Sequence, residues 1–154
     1  MNSRIETLTS FYGSYAEDSR LGRTRQGQLE YITTMSYIHR YAQPGTKLLE
    51  IGAGTGRYSI ALAREGYTVT AVELVTRNLE ILKKNAGGIE NLHAVQGDAL
   101  DLSPFPDQTF DVTLVFGPMY HLYEKEDVQK ALKEAIRVTK KNGVILFIHL
   151  CHHI

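Results

Sequence analysis

The chain has 154 residues, enough for one domain with a single sizeable core. Its 17 Lys and Arg balance 17 Asp and Glu, so no global charge draws it to nucleic acid or to anionic membranes. A single cysteine, Cys151, excludes an intrachain disulfide, and with no signal-like or membrane-length apolar run the chain is expected in the cytoplasm, without a membrane partner.

In chain order, residues 1–45 read as an N-terminal helical lid or cap and residues 46–154 as the core, within one domain overall. Gln26 to Tyr41 reads as a helix, with Leu29, Ile32, Met35 and Ile38 spaced as one face. Pro44-Gly45 breaks it. Lys47 to Ile51 reads as a buried strand, and Arg57 to Glu65 as a helix closed by Gly66. Tyr67 to Val72 is a second strand. Thr76 is placed to cap a helix running through Ile81 to about Lys84, ended by Gly87-Gly88. Leu92 to Gln96 is a third strand, and Gly97 to Gln108, with Pro104 and Pro106, reads as loop. Phe110 to Phe116 is a fourth strand, stopped by Gly117-Pro118. Asp127 to Thr139 is a helix with an apolar side, Asn142-Gly143 a turn, and Val144 to Leu150 a fifth strand.

These strands are apolar almost throughout and most are separated by helices. That argues for a parallel sheet covered on both faces, a doubly wound α/β fold. Ligands of such sheets bind beyond the carboxyl ends of the strands, at the switch point. The stretch LLEIGAGTGRYS, Leu48 to Ser59, lies at that place. Gly52, Gly54 and Gly56 alternate through the turn between strand and helix, where a missing Cβ lets a ligand lie against the backbone. A dinucleotide fingerprint needs its last glycine one place later, where Arg57 stands, and no Gly-Lys-Ser/Thr follows for a phosphate loop. A nicotinamide-binding domain is therefore disfavoured. Glu73 ends the second strand about 20 positions after the turn, where an acid accepts bonds from a ribose diol. Asp98, in QGDAL, follows the third strand. It would meet an adenine amine or cap its own turn. Glu50 precedes the turn and would either brace it or draw a cationic ligand.

Taken together, these motifs resemble those of the class I S-adenosylmethionine-dependent methyltransferases. LLEIGAGTGRYS resembles the first motif of that family, VTAVEL the second and VQGDAL the third. FDVTLVFGPMYHL resembles the fourth, and RVTKKNGVILF the helix, turn and strand that follow. The resemblance covers Lys47 to Ile148 and implies a Rossmann-like sheet of order 3-2-1-4-5 with S-adenosylmethionine as cofactor. It places Gly52, Gly54 and Gly56 against the methionyl part, Glu73 with Leu74 at the ribose, and Glu50 among the cofactor-binding residues. It places Asp98 at the adenine amine with Ala99 flanking the ring, and Phe116 and Gly117 near the sulfonium and the acceptor entrance.

Methyl transfer is an in-line displacement in which the cofactor carries the hard chemistry and the protein orients and desolvates the partners. Tyr120 and His121, in the segment leaving the fourth strand, are weak catalytic candidates that would line the acceptor pocket, with His121 placed to act as a base. The fourth motif reads Phe-Gly-Pro-Met where enzymes acting on base amines carry Asn/Asp-Pro-Pro-Tyr/Phe. With the zero net charge, this speaks against a base amine of DNA and makes nucleic acid the less expected partner, while RNA and protein acceptors stay open; the resemblance implies a small-molecule acceptor. The polar segment FYGSYAEDSRLGRTRQG suggests a lid in which Tyr15 and Arg20 reach the cofactor.

The resemblance also implies a further helix and two strands beyond the fifth. Here the chain stops at LFIHLCHHI. An apolar strand left at the edge of a sheet would pair with a second copy. A naturally short protein, a truncated gene and a dimerising fragment all fit. A non-catalytic S-adenosylmethionine-binding module, disabled by the missing strands, is the alternative to an enzyme. His149, Cys151, His152 and His153 are not expected to bind metal, because adjacent strand residues point to opposite faces.

Overall fold

The computed structural model describes residues 3–14, 24–117 and 121–148. They form five helices, α1 (Ser3–Ser14), α2 (Arg25–Tyr41), α3 (Arg57–Arg64), α4 (Thr76–Ala86) and α5 (Lys125–Val138). The strands are β1 (Lys47–Ile51), β2 (Thr68–Glu73), β3 (Leu92–Gln96), β4 (Phe110–Val115) and β5 (Thr139–Phe147). The sheet has the order β3-β2-β1-β4-β5, as expected, and every pairing is parallel.

Alternation along β1 shows why both faces must be covered. Leu48 and Leu49 are both fully buried, yet successive strand residues point to opposite sides. Leu48 joins a core with Met35 and Ile38 of α2, Leu62 of α3 and Leu82 of α4. Leu49 joins the opposite core, with Ala131, Ala135 and Val138 of α5. The winding therefore reverses between β1 and β4, and the switch point lies just beyond Ile51.

Several boundaries differ from the sequence reading, each for a local reason. Leu29 and Ile32 are 62% and 63% exposed, and α2 instead buries Gly27, Thr34, Met35 and Ile38. Four residues at strict threefold spacing creep backwards around a helix of 3.6 residues per turn, so Leu29 ends up opposite Ile38. Thr24 caps this helix by accepting the Gly27 N–H at 2.9 Å. Thr76 is not a cap. Val75 occupies that position without a side-chain bond, and the Thr76 hydroxyl accepts from the Gln96 amide at 3.0 Å. Gly66 does close α3. Its N–H donates to the Ala63 carbonyl and the Tyr67 N–H to the Leu62 carbonyl, both at 3.1 Å, which is the paired Schellman arrangement.

The expected turn at Asn142-Gly143 lies inside β5, which begins directly after α5. β4 and β5 change register between Phe110, paired with Thr139, and Val112, paired with Val144. The extra residues bulge out, and a Cβ at Gly143 would stand 2.7 Å from the Asp111 carbonyl oxygen. Among the described residues no helix is long and apolar enough to cross a membrane. His149, Cys151, His152 and His153 lie outside the described residues.

Candidate functional site

Parallel registry brings the strand ends to one rim. Ile51 pairs with Val72 and with Val115, and Glu73 pairs with Gln96. The residues that follow, Gly52, Leu74, Gly97 and Phe116, therefore leave the sheet side by side.

The turn from Gly52 to Gly56 is tied to β2 at its start. The N–H groups of Gly52 and Ala53 donate to the Val72 carbonyl at 2.8 and 3.0 Å. Its three glycines have φ of 78°, 58° and 93°, which other L residues rarely adopt. Gly56 also seats α3 on α4, since a Cβ there would stand 2.9 Å from the Leu82 Cγ.

Glu73 is the brace of this turn. Its Oε2 accepts the Gly54 N–H at 2.6 Å and its Oε1 accepts the Val75 N–H at 2.8 Å, so one buried carboxylate fixes two loops. Glu50 was expected to brace the turn or draw a cation. Its Oε2 instead takes the Ser59 hydroxyl from α3. Burial pushes the Glu50 carboxyl up to about 8; the Ser59 hydroxyl opposes this rise and the nearby Glu73 charge adds to it. Leu74 is half-buried, and its carbonyl accepts from the Gln96 amide at 3.2 Å.

Asp98 sits past β3, beside Glu73, whose carbonyl accepts the Gly97 N–H at 3.2 Å. Its Oδ1 accepts the Leu100 N–H at 3.0 Å, and its Oδ2 takes the Arg4 guanidinium from α1. Ala99 is buried in the α5-side core. The loop that follows is held from α5. Arg137 donates to the carbonyls of Leu102 and Phe105, each at 2.9 Å, while Glu134 accepts the Leu102 N–H at 2.6 Å.

On the far side of the turn, Phe116 is buried edge-on against Tyr58 at 5.3 Å, and Tyr58 stacks on Tyr31 at 5.3 Å. The Arg57 guanidinium lies 4.7 Å above the Tyr31 ring. Gly117 is pressed against the first turn, and a Cβ there would stand 2.9 Å from the Gly52 carbonyl oxygen. His121 is held below the usual histidine range by burial, with the Arg4 guanidinium adding to the effect. Its imidazole is thus neutral near pH 7 and able to accept a proton. Tyr15, Arg20 and Tyr120 lie outside the described residues.

The structure thus brings Glu50, Gly52, Gly54, Gly56, Glu73 and Gly117 into one bonded or touching unit, with Asp98 at its β3 flank. Sequence reasoning missed Arg4, which no motif marks, and Ser59, whose partner became visible only once α3 was folded against β1. The side chain bonded to the turn is the Glu73 carboxylate, with Asp98 at its flank. It suits a cationic, hydroxyl-bearing ligand and would repel a phosphate.

Comparison with known proteins agrees with this chemistry. The family described as "Methyltransferase domain" matches residues 49–147. A demethylmenaquinone methyltransferase of Staphylococcus aureus is 41% identical over 106 residues, covering 66% of this chain and 42% of that protein. This chain therefore spans less than half the length of that relative. Among solved structures, the YcgJ protein of Bacillus subtilis is 28% identical, with a TM-score of 0.67 over 76% of this chain and 50% of that one. A phosphoethanolamine N-methyltransferase of Haemonchus contortus superposes over 98% of this chain and 32% of its own, with a TM-score of 0.80 at 21% identity, a likeness of fold. The chain belongs to the methyltransferase-domain family, and its Rossmann-like sheet is that of the class I enzymes that use S-adenosylmethionine.

Proposed function

We propose that the chain transfers a methyl group from S-adenosylmethionine to a small-molecule acceptor at the carboxyl rim of its sheet. The observation that carries this reading is the glycine turn braced by Glu73. Three positive-φ glycines leave the backbone bare, and a buried carboxylate one strand away holds it in shape.

S-Adenosylmethionine supplies the methyl group, already activated on a cationic sulfur. In this reading Gly52, Gly54 and Gly56 pass closest to its methionyl part. Glu73, with Leu74 beside it, accepts from the ribose hydroxyls, since each carboxylate oxygen can take more than one hydrogen bond. Asp98 accepts from the adenine amine, and Ala99 flanks the ring. Phe116 and Gly117 border the sulfur and the acceptor entrance, where Gly117 keeps the two strand ends close together. Glu50 acts from behind the turn, holding the start of α3 through Ser59. His121, neutral and half-buried, is the group positioned to take a proton if the acceptor atom must lose one. Orientation and exclusion of water then do most of the catalytic work. The relative named for demethylmenaquinone supports a small acceptor, as does the aromatic row Phe116, Tyr58 and Tyr31 behind the rim.

Calorimetric titration with S-adenosylmethionine and S-adenosylhomocysteine tests the cofactor site. Wild type is expected to bind both saturably, and Glu73→Ala to lose at least about tenfold in affinity, because a charged acceptor and the brace of the turn go together. A folded wild-type chain that binds neither ligand would overturn the proposal. Formation of S-adenosylhomocysteine with a panel of small acceptors then reads turnover.

A further inference from the structure

The first turn of α1 reaches the cofactor rim from the far end of the sequence. Arg4 lies 94 positions from Asp98, and its guanidinium holds the Asp98 Oδ2. Their side chains are only 14% and 23% exposed, so water and salt screen the pair less than they would a surface ion pair. The other oxygen of Asp98 is already engaged by the Leu100 N–H. α1 itself is seated on the molecule, with Leu8 buried and with contacts to α4, whose N-terminus follows Glu73 by three residues. Arg4 is also close enough to His121 for its charge to be felt there. α1 therefore lies over the rim between the β3 end and the segment that leaves β4.

We infer that Arg4 is a positioning residue that competes with the cofactor's adenine for the Asp98 carboxylate, so that α1 is latched over the site and cofactor binding releases it. This rests on the reading of Asp98 as the adenine acceptor. An adenine amine is a neutral donor, whereas the guanidinium is a charged one, and charge-assisted hydrogen bonds are roughly twice as strong. The amine gains Asp98 only when Arg4 gives up its bond and moves out to water. The observed affinity is then the intrinsic affinity reduced by the fraction of molecules that are unlatched. Linkage is reciprocal, so a bound cofactor loosens α1 by the same factor by which the latch weakens binding.

The experiment uses the full chain and S-adenosylhomocysteine. Calorimetry compares wild type with Arg4→Gln, Arg4→Lys and Glu73→Ala, and hydrogen exchange follows residues 4–14 of wild type with and without ligand. The expected result is about tenfold tighter binding by Arg4→Gln, near wild-type affinity for Arg4→Lys, and faster exchange across α1 in the bound protein. A merely structural arginine would not tighten binding when removed. Unchanged or weaker binding by Arg4→Gln, or protection of α1 on binding, overturns the latch while Glu73→Ala still loses affinity. If Glu73→Ala binds like wild type, the cofactor-site reading itself has failed. The exchange measurement needs no variant, so it decides the question even if Arg4→Gln does not fold.

Discussion

Glu50 sits within β1's run of buried residues with a carboxyl group that water hardly reaches, 2% exposed, and with the charge of Glu73 nearby. The sign of its effect on stability follows from its raised pKa. Between its ordinary value of 4.5 and about 8, the folded chain keeps a proton that the unfolded chain has lost. Stability therefore falls as pH rises through that window and levels off above it. The slope for one proton is at most about 1.4 kcal/mol per pH unit. Glu50→Gln keeps an acceptor for the Ser59 hydroxyl and removes the titration. The variant is expected to be more stable than wild type at pH 8, with the difference shrinking toward pH 5. Thermal unfolding of both proteins across this range would show it, and parallel curves would refute it. The sequence displayed Glu50 and Glu73 as two acids near a glycine turn. It did not reveal which one braces the turn, because that depends on reach across strands. Glu73, on the neighbouring strand, faces the Gly54 N–H, while Glu50 is drawn behind the turn by Ser59.

At the scale of elements, the site depends on how closely β4 approaches the turn after β1. Gly117 sets that distance, with the Gly52 carbonyl oxygen where a Cβ would need room. Gly117→Ala forces backbone against backbone, with no flexible side chain to yield. It is expected to cost about 1–3 kcal/mol of stability, as overpacking does, and to weaken S-adenosylmethionine binding by more than tenfold. Denaturant unfolding and calorimetry measure the two effects, and a variant with wild-type affinity would show that the two strand ends need not touch. β1, β3 and β4 were well marked in the sequence because each is a short run between glycines or prolines. Boundaries and faces were less so. Val75 rather than Thr76 heads α4, because the Thr76 hydroxyl is recruited by Gln96 from β3, a contact no local rule contains. The turn expected at Asn142-Gly143 became a bulge because β4 carries the strand pairing straight past it.

For the whole molecule, topology was legible and long-range closure was not. Unbroken apolar strands alternating with helices admit few arrangements once crossovers are right-handed, so the order 3-2-1-4-5 followed from pattern and motif together. The bond of α1 to the rim escaped notice, since it joins residues 94 positions apart and no periodicity announces it. The N-terminal segment was expected to act as a lid through Tyr15 and Arg20, which lie outside the described residues. The rim is where the turns after β1, β2, β3 and β4 meet, so a ligand there ties together elements that the sheet alone connects only through its strands. Binding at the rim should therefore stabilise the sheet and the turns that meet there against global unfolding. At a free concentration of S-adenosylhomocysteine one hundred times its dissociation constant, linkage gives about 2.7 kcal/mol of added stability, provided the unfolded chain does not bind. For a domain of this size that is a rise in Tm of roughly 5–11 °C. The rise should grow with the logarithm of ligand concentration, and a tenfold loss of affinity in Glu73→Ala should cut it to about half or less at the same concentrations. A shift of equal size in that variant would place the stabilising ligand elsewhere on the molecule, away from the turn that Glu73 holds.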